Sequence, residues 1–432
     1  MKVTGIIAEY NPFHNGHAYH IGETKKRLSS DYVVVVMSGN YVQRGAPTIL
    51  DKYSRTKMAL ECGADLVLEL PTCFATASAE YFAFGGISIL DKLGIVDSVC
   101  FGTESLDKNK NLLDEEDAKD SDFTEEEQKK IIEKFEKIAE LLTEEPKEYK
   151  DVFYDGMKKG LSYAAARSNG VRAILGDEYA EIIDTSNNIL AIEYLRALKK
   201  IGSNVKPVPI PRMLASHHDT MITEGFSSAT AIRNAIFNKY DFNSIADTVP
   251  EKAFSILMDA YLVSFPIFRD DFSLVVGSKI LEASSKEELE KYFGIKKEFA
   301  NRIFNMRNEF KNFSQFRELI AAKNSNKATA SRALMHIALG TTKESMQHFL
   351  DYDAIDAVKV LGFRNESKEV LSEIKNNSKI KLVTKLADYK PENPELDMIC
   401  QTTKADMIYR MVAMNKFDSE IKNPFEEEVV II

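Results

Sequence analysis

Apolar residues along the first 210 positions fall into short β-rich runs, separated by stretches in which they return every third or fourth residue. Runs of this length rich in Val, Ile and Leu predict strands, and the three-to-four spacing predicts helices. The strands read as Val3–Ala8, Tyr32–Met37, Leu66–Leu70, Ser98–Phe101 and Val205–Ile210, and the helices between them as Ala18–Leu28, Lys52–Cys62 and Tyr81–Leu93. Strands alternating with helices point to βαβ units and an α/β fold with a Rossmann-like parallel sheet. The last strand carries Pro207 and Pro209, which cannot donate to a ladder on both sides, so it is expected at an edge.

After Cys100-Phe101-Gly102 the alternation stops. Residues of about 105–200 read as a helical insertion, with Ile131, Ile132, Phe135, Ile138 and Leu142 forming one apolar stripe. From about Pro250 the pattern is helical, broken by β-like runs at Ala357–Phe363 and Ile380–Thr384. The chain is therefore expected to divide into residues 1–245 and a mainly α-helical C-terminal domain, 246–432.

A length of 432 residues with 44% hydrophobic and 28% charged residues gives ample core and an ordinary water-facing surface. The N-terminal apolar run leads into Glu9 rather than a cleavage site, and no segment approaches a membrane span, so a cytoplasmic protein with no membrane association is expected. Cys62, Cys73, Cys100 and Cys400 lack metal or redox spacing and read as buried free thiols. The net charge of −10 is uneven: residues 107–151 hold 17 acids against 9 bases, most densely over 114–127. Between Lys296 and Arg332 the balance reverses, with nine bases against three acids and five phenylalanines interleaved. A basic helical surface carrying Lys296, Lys297, Arg302, Arg307 and Arg332 is compatible with RNA, and equally with a solvated face over a phenylalanine core.

The densest chemistry follows the first strand, at Asn11-Pro12 and then His14-Asn15-Gly16-His17. A strand feeding a turn and a helix aims backbone N–H groups and the positive end of the helix dipole above the strand, where anions bind. Two imidazoles three residues apart face one side, and Gly16 has no Cβ to keep a phosphate away, so a nucleoside triphosphate is the expected guest. His20 continues the spacing, but no cysteine or carboxylate nearby completes a tetrahedral set, and no metal site is expected. Ser227-Ser228-Ala229-Thr230-Ala231-Ile232-Arg233 supplies a second cradle, a serine cap with an arginine one turn in; an ordinary cap with a surface arginine would read the same way.

Together these segments resemble the nucleotidylyltransferase-like superfamily, with its HxGH motif and a late serine-to-arginine motif. The blocks Gly5–His17, Met37–Pro47, Gly63–Pro71, Phe101–Glu104, Ser186–Leu190 and Ser227–Arg233 are similar to those of the bacterial tRNA(Met) cytidine acetate ligases, and Ser331-Arg332 and Val360–Phe363 extend the likeness more weakly. The resemblance implies a nucleotidylyltransferase-type sheet and ATP-dependent acetylation of the wobble cytidine of elongator tRNA(Met), through acetyl-adenylate with release of pyrophosphate. It implies ATP contacts along Ile7, Ala8, Glu9, Tyr10, Asn11, Pro12, Phe13, His14, Asn15, Gly16, His17, Ala18, Tyr19 and His20. It adds Gly102, Asn187 or its neighbour Asn188, Arg212 and Ser228, with His14, His17 and Arg233 as the catalytic groups. Mg²⁺ is expected with the triphosphate, held mainly by phosphates and water. No protein partner is expected.

Other polar groups admit plainer readings. Ser38, Asn40, Gln43 and Arg44 form a loop suited to acetate or cytosine, or to structure alone. Asp65 and Glu69 alternate with apolar neighbours and read as structural rather than as an acid/base pair. His217-His218-Asp219 lacks a serine elbow. A small-molecule adenylyltransferase would also use both cradles but does not need a large helical C-terminal domain with a basic stretch; against a nucleotide sensor without turnover stand the intact His14, His17 and Arg233.

Overall fold

The computed structural model describes residues 1–106, 124–212, 225, 227–238, 242–321 and 326–432. His217, His218, Asp219, Lys323 and the start of the acidic segment lie outside the described residues. The strands are β1 Val3–Ala8, β2 Tyr32–Ser38, the short pair β3 Tyr41–Val42 and β4 Ala46–Pro47, β5 Leu66–Leu70, β6 Ser98–Thr103, β7 Lys206–Pro211, β8 Ala357–Phe363, β9 Lys381–Val383 and β10 Val430–Ile431. The main sheet runs β10-β8-β5-β2-β1-β6-β7, with β9 beside β8. β7 is the edge its prolines require, paired with β6 alone. β3 and β4 form a separate antiparallel hairpin.

Side-chain alternation divides β2 between two cores. Val34 and Val36 join Leu66, Leu68, Leu70, Phe82 and Ile87 on one face, and Phe135, Ile138 and Leu142 of the insertion close over it. Val33, Val35 and Met37 join Val67, Ile21, Met58 and Leu60 on the other. The insertion is helical where described, from Glu125–Glu144 to Ser186–Ile201. A third core, with Phe272, Ile303, Phe313, Phe316 and Leu334, belongs to the C-terminal helices and takes in Tyr41 of the β3–β4 hairpin.

The expected division at residue 245 is corrected by the pairing of β8. Residues 357–363 and 381–383 do not form part of a separate helical unit; β8 lies antiparallel against β5 and carries β9 and β10 on its far side. The physical reason is in β5, whose five residues are all buried. Such a strand cannot stand at an open edge, and the described residues of the N-terminal half supply no further strand to cover it.

A buried ionic cluster fastens the last long helix, Met398–Phe417, to this sheet. Lys52 Nζ donates to Glu69 Oε1 at 2.6 Å and Oε2 at 2.8 Å, and also pairs with Asp406. Asn40 Nδ2 donates to Asp406 Oδ1 at 2.9 Å while its Oδ1 accepts the Lys52 N–H at 2.9 Å. Burial alone would depress the Lys52 ammonium, but the carboxylates of Asp406 and Glu69 more than offset it and hold the group charged.

Candidate active site

The site begins where β1 and β2 end. Arg55 is fully buried and donates to the carbonyls of Glu9 at 2.7 Å, Ser38 and Leu50 at 3.0 Å, and Gly39. One guanidinium thus fixes both strand-end loops in relation to each other. The chain then passes Tyr10 in the left-handed region at φ 48° and the cis Asn11-Pro12 bond into the helix Asn15–Leu28.

His14 is the N-cap of this helix rather than part of its first turn. Its Nδ1 accepts the Gly16 N–H at 3.1 Å, and His17 Nδ1 accepts the His14 N–H at 3.2 Å. Two Nδ1 acceptors place the proton of each neutral ring on Nε2, so each imidazole is an Nε2–H donor. The rings stack with centroids 3.7 Å apart, and Tyr10 and Phe13 brace His17 at 4.8 and 5.5 Å. Gly16 serves this stack first: a Cβ there would meet the His14 ring at 3.0 Å. The space a Cβ would need there is taken by His14.

The second cradle is joined to the first by a direct bond. Ser228 caps the helix Ala229–Phe237 by accepting the Ala231 N–H at 3.1 Å, and Arg233 donates to the Asn11 carbonyl at 2.7 Å. On the side of β6, Glu104 collects Thr185 at 3.2 Å, Asn187, and Arg212 at 3.5 Å. Asn188 is spent on structure, bonded to Thr103 at 2.6 Å, Ser105 at 2.9 Å and the Ile182 carbonyl at 3.1 Å. Asn187, unlike Asn188, lines the cavity. Gly102 gives way to Arg212, whose Cγ would lie 2.7 Å from a Cβ.

These groups line one cavity of about 760 Å³, within the usual range for a nucleotide-sized ligand. Of the sequence-predicted contacts, Ile7, Ala8, Glu9, Tyr10, Asn11, His14, Gly16, His17, Tyr19, His20, Gly102, Asn187, Arg212, Ser228 and Arg233 line it. Pro12, Phe13, Asn15 and Ala18 do not. Phe13 is fully buried behind His17, and Asn15 ties the helix start to the carbonyls of Gly225 and Asp247, each at 2.7 Å. Sequence reading missed the apolar wall of Phe82, Phe101, Leu190 and Tyr194, and also Phe237, Phe268, Arg269 and Arg317. Of these, Phe101 and Leu190 lay within the family-like blocks without being singled out as contacts, and Arg317 was one base of the positive stretch.

The polar loop after β2 divides in two. Gln43 and Arg44 line the cavity, whereas Asn40 belongs to the Lys52 cluster and Ser38 is buried. Asp65 and Glu69 are structural as expected: Asp65 accepts the Val33 N–H at 2.8 Å and pairs with Lys25 at 2.7 Å. Cys73 and Cys100 are buried, but Cys62 and Cys400 are only half-buried. Of the basic stretch, Lys296 and Lys297 are exposed. Arg302 donates to the Ile320 carbonyl at 3.1 Å, Arg307 lies over the Phe304 ring at 3.8 Å, and the Arg332 backbone packs on Gly45. None of these five faces the cavity. Among the described residues no cluster of His, Cys, Asp or Glu could hold a metal ion, and no helix is long and apolar enough to cross a membrane.

Burial, with the Arg212 and Arg233 charges behind it, lowers His14 to about 3, and burial with Arg212 lowers His20 to about 4. His17 is lowered in the same way, with His14 adding to the effect. All three are therefore neutral donors at physiological pH. The unfolded chain takes up these protons near pH 6.5, so stability is complete above that value and is lost as pH falls toward the folded values. For His14 the loss is roughly 1 kcal/mol at pH 5.5. Tm measured between pH 7.5 and 5.5 is expected to fall less in His14→Gln than in the unaltered protein; equal slopes would contradict a neutral His14.

The family described as HIGH Nucleotidyl Transferase matches residues 1–131 and 111–423. A relative from Acetivibrio thermocellus named tRNA(Met) cytidine acetate ligase is 37% identical over 100% of both chains. One of the same name from Caldanaerobacter subterraneus subsp. tengcongensis is 36% identical over 97% of this chain and 98% of its own. The crystal structure of Thermotoga maritima TmcAL in its apo form superposes with a TM-score of 0.87 at 30% identity, covering 100% of each chain. The same protein bound with alpha-thio ATP gives 0.85.

Proposed function

Since the chain belongs to the tRNA(Met) cytidine acetate ligase family, within the HIGH nucleotidyl transferases, we propose that it acetylates the exocyclic amine of the wobble cytidine of elongator tRNA(Met), using ATP and acetate. The observation that carries the reading is the convergence of two neutral Nε2–H imidazoles, Arg212 and Arg233 on one cavity. In the first step an acetate oxygen bonds to the α-phosphorus while the bond to the bridging oxygen of pyrophosphate breaks. Little covalent help is needed; the protein holds the triphosphate in line and stabilises charge on the leaving group. His14 and His17 donate to phosphate oxygens without a proton having to leave first, and Arg233, fixed on the Asn11 carbonyl, adds a cation. Asn187 contacts the nucleoside and Arg212 a phosphate. In the second step the cytidine amine nitrogen bonds to the acetyl carbonyl carbon, the bond from that carbon to the phosphate oxygen breaks so that AMP leaves, and one amine proton is released to water.

Mg²⁺ enters with the triphosphate as part of the substrate, coordinated by phosphate oxygens and water. The carboxylate of Glu9, on the cavity wall, is engaged by the Gln43 N–H at 2.8 Å. Lys296, Lys297, Arg302, Arg307 and Arg332 are proposed as outlying contacts to the tRNA backbone, and the protein works in the cytoplasm. Incubation with ATP, radiolabelled acetate and bulk tRNA tests the whole reading: acid-precipitable label in RNA is the expected result. Label in a nucleotide-linked small molecule alone, or none at all, would overturn it.

A further inference from the structure

Five arginines, Arg44, Arg212, Arg233, Arg269 and Arg317, line the cavity, against two carboxylates, Glu9 and Asp270. Both carboxylates are committed to backbone N–H groups, Asp270 to that of Ser314 at 2.7 Å. Arg269 is half-buried and has no hydrogen-bond or ion-pair partner among the described residues. Arg317 shares Glu318 with Lys327, and its Nε is buried with no partner among the described residues. Beside these cations stands Phe237, 59% exposed although it lines the cavity. Phe268 meets its ring edge-on, with centroids 5.1 Å apart and planes at 90°. Phe268 is itself held, by the Ile267 N–H on the Ile49 carbonyl at 2.9 Å and by Lys416 at 4.9 Å from its ring.

Resting on the ligase reading above, we propose that Phe237, braced by Phe268, stacks on the cytosine to be acetylated, while Arg269 and Arg317 hold the phosphates flanking it. A braced aromatic face beside guanidiniums, that of Arg269 without a carboxylate partner among the described residues and that of Arg317 sharing Glu318 with Lys327, is the chemistry that recognises an unstacked base in single-stranded RNA. The placement fits the reaction. Phe237 follows Arg233 by four residues on one helix, so the two share a face about 6 Å apart along the axis. A base on Phe237 is thereby within reach of the adenylate held at Arg233. The basic residues picked out between 296 and 307 lie off this cavity and cannot perform that role.

An anticodon stem-loop with pyrrolo-cytidine at the wobble position, titrated into the full chain, reads the stack directly. Phe237→Ala is expected to remove the fluorescence change on binding and to raise KM for tRNA about tenfold or more. Phe237→Tyr should restore both, and Arg269→Gln should raise KM for RNA while leaving the fluorescence change of the bound complex. KM for ATP, measured by acetate-dependent pyrophosphate release, should move less than twofold in Phe237→Ala. An ATP KM that rises with that for tRNA would make Phe237 part of the nucleotide wall and overturn the proposal, as would RNA binding indifferent to Phe237. If the unaltered protein puts no acetate into RNA, the ligase reading fails on its own account; the fluorescence titration still decides whether Phe237 seats a base.

Discussion

His17→Ala is expected to slow acetyl-adenylate formation by about 10²–10³-fold, the range seen when one preorganised hydrogen-bond donor to developing charge is removed. The imidazole is positioned for this by its surroundings: Tyr10 and Phe13 fix its plane, the His14 N–H occupies its Nδ1, and burial keeps it neutral. Alanine removes the Nε2–H and also the acceptor for the His14 N–H, which costs about 1 kcal/mol at a helix N-terminus. The variant should therefore fold, with Tm lowered by a few degrees, while pyrophosphate release collapses. His14→Ala is the poorer probe, because its ring also caps the helix through Gly16. A His17→Ala protein that releases pyrophosphate within tenfold of the normal rate would remove His17 from the mechanism.

Lys52→Met is expected to cost about 3–5 kcal/mol of stability, the usual consequence of stranding buried carboxylates. Lys52, Glu69 and Asp406 are all nearly inaccessible, and the ammonium is the only cation bonded to either carboxylate among the described residues. Because Asp406 lies on the last long helix and Glu69 in β5, the loss should loosen the C-terminal helices from the sheet rather than unfold the HxGH helix first. Chemical denaturation measures the size of the effect. Hydrogen exchange at residues 398–417 measures where it falls, and protection there equal to that of the unaltered protein would contradict this attachment. Combining Lys52→Met with Glu69→Gln and Asp406→Asn should recover part of the loss, since the neutral side chains no longer strand a charge.

What could be read from the sequence was what depends on neighbours along the chain. Val3–Ala8, Leu66–Leu70 and Ala357–Phe363 are strands to the residue, because short, mostly apolar runs bounded by turns are a local signal. The HxGH and serine-to-arginine cradles were visible for the same reason. The partner of β8 was not, since nothing in Ala357–Phe363 specifies that it must lie against β5. Asn187 and Asn188 are indistinguishable as letters, and only the bonds to Thr103 and Ser105 separate them. Gly16 was read against a ligand, and its contact with the His14 ring was not visible. Phe237 and Arg269 gave no signal at all: a last helical residue and a solitary arginine acquire meaning only when the fold brings them to one rim.

The antiparallel seam between β5 and β8 also sets an order of events on the ribosome. Translation completes the nucleotide-facing strands early, while β5, apolar but for Glu69, has its outer backbone groups unpaired until residue 357 and beyond have emerged. Throughout that interval the nascent chain presents an adhesive border to other chains. Any product terminated before β8 keeps that border, since no other strand among the described residues pairs with the outer side of β5.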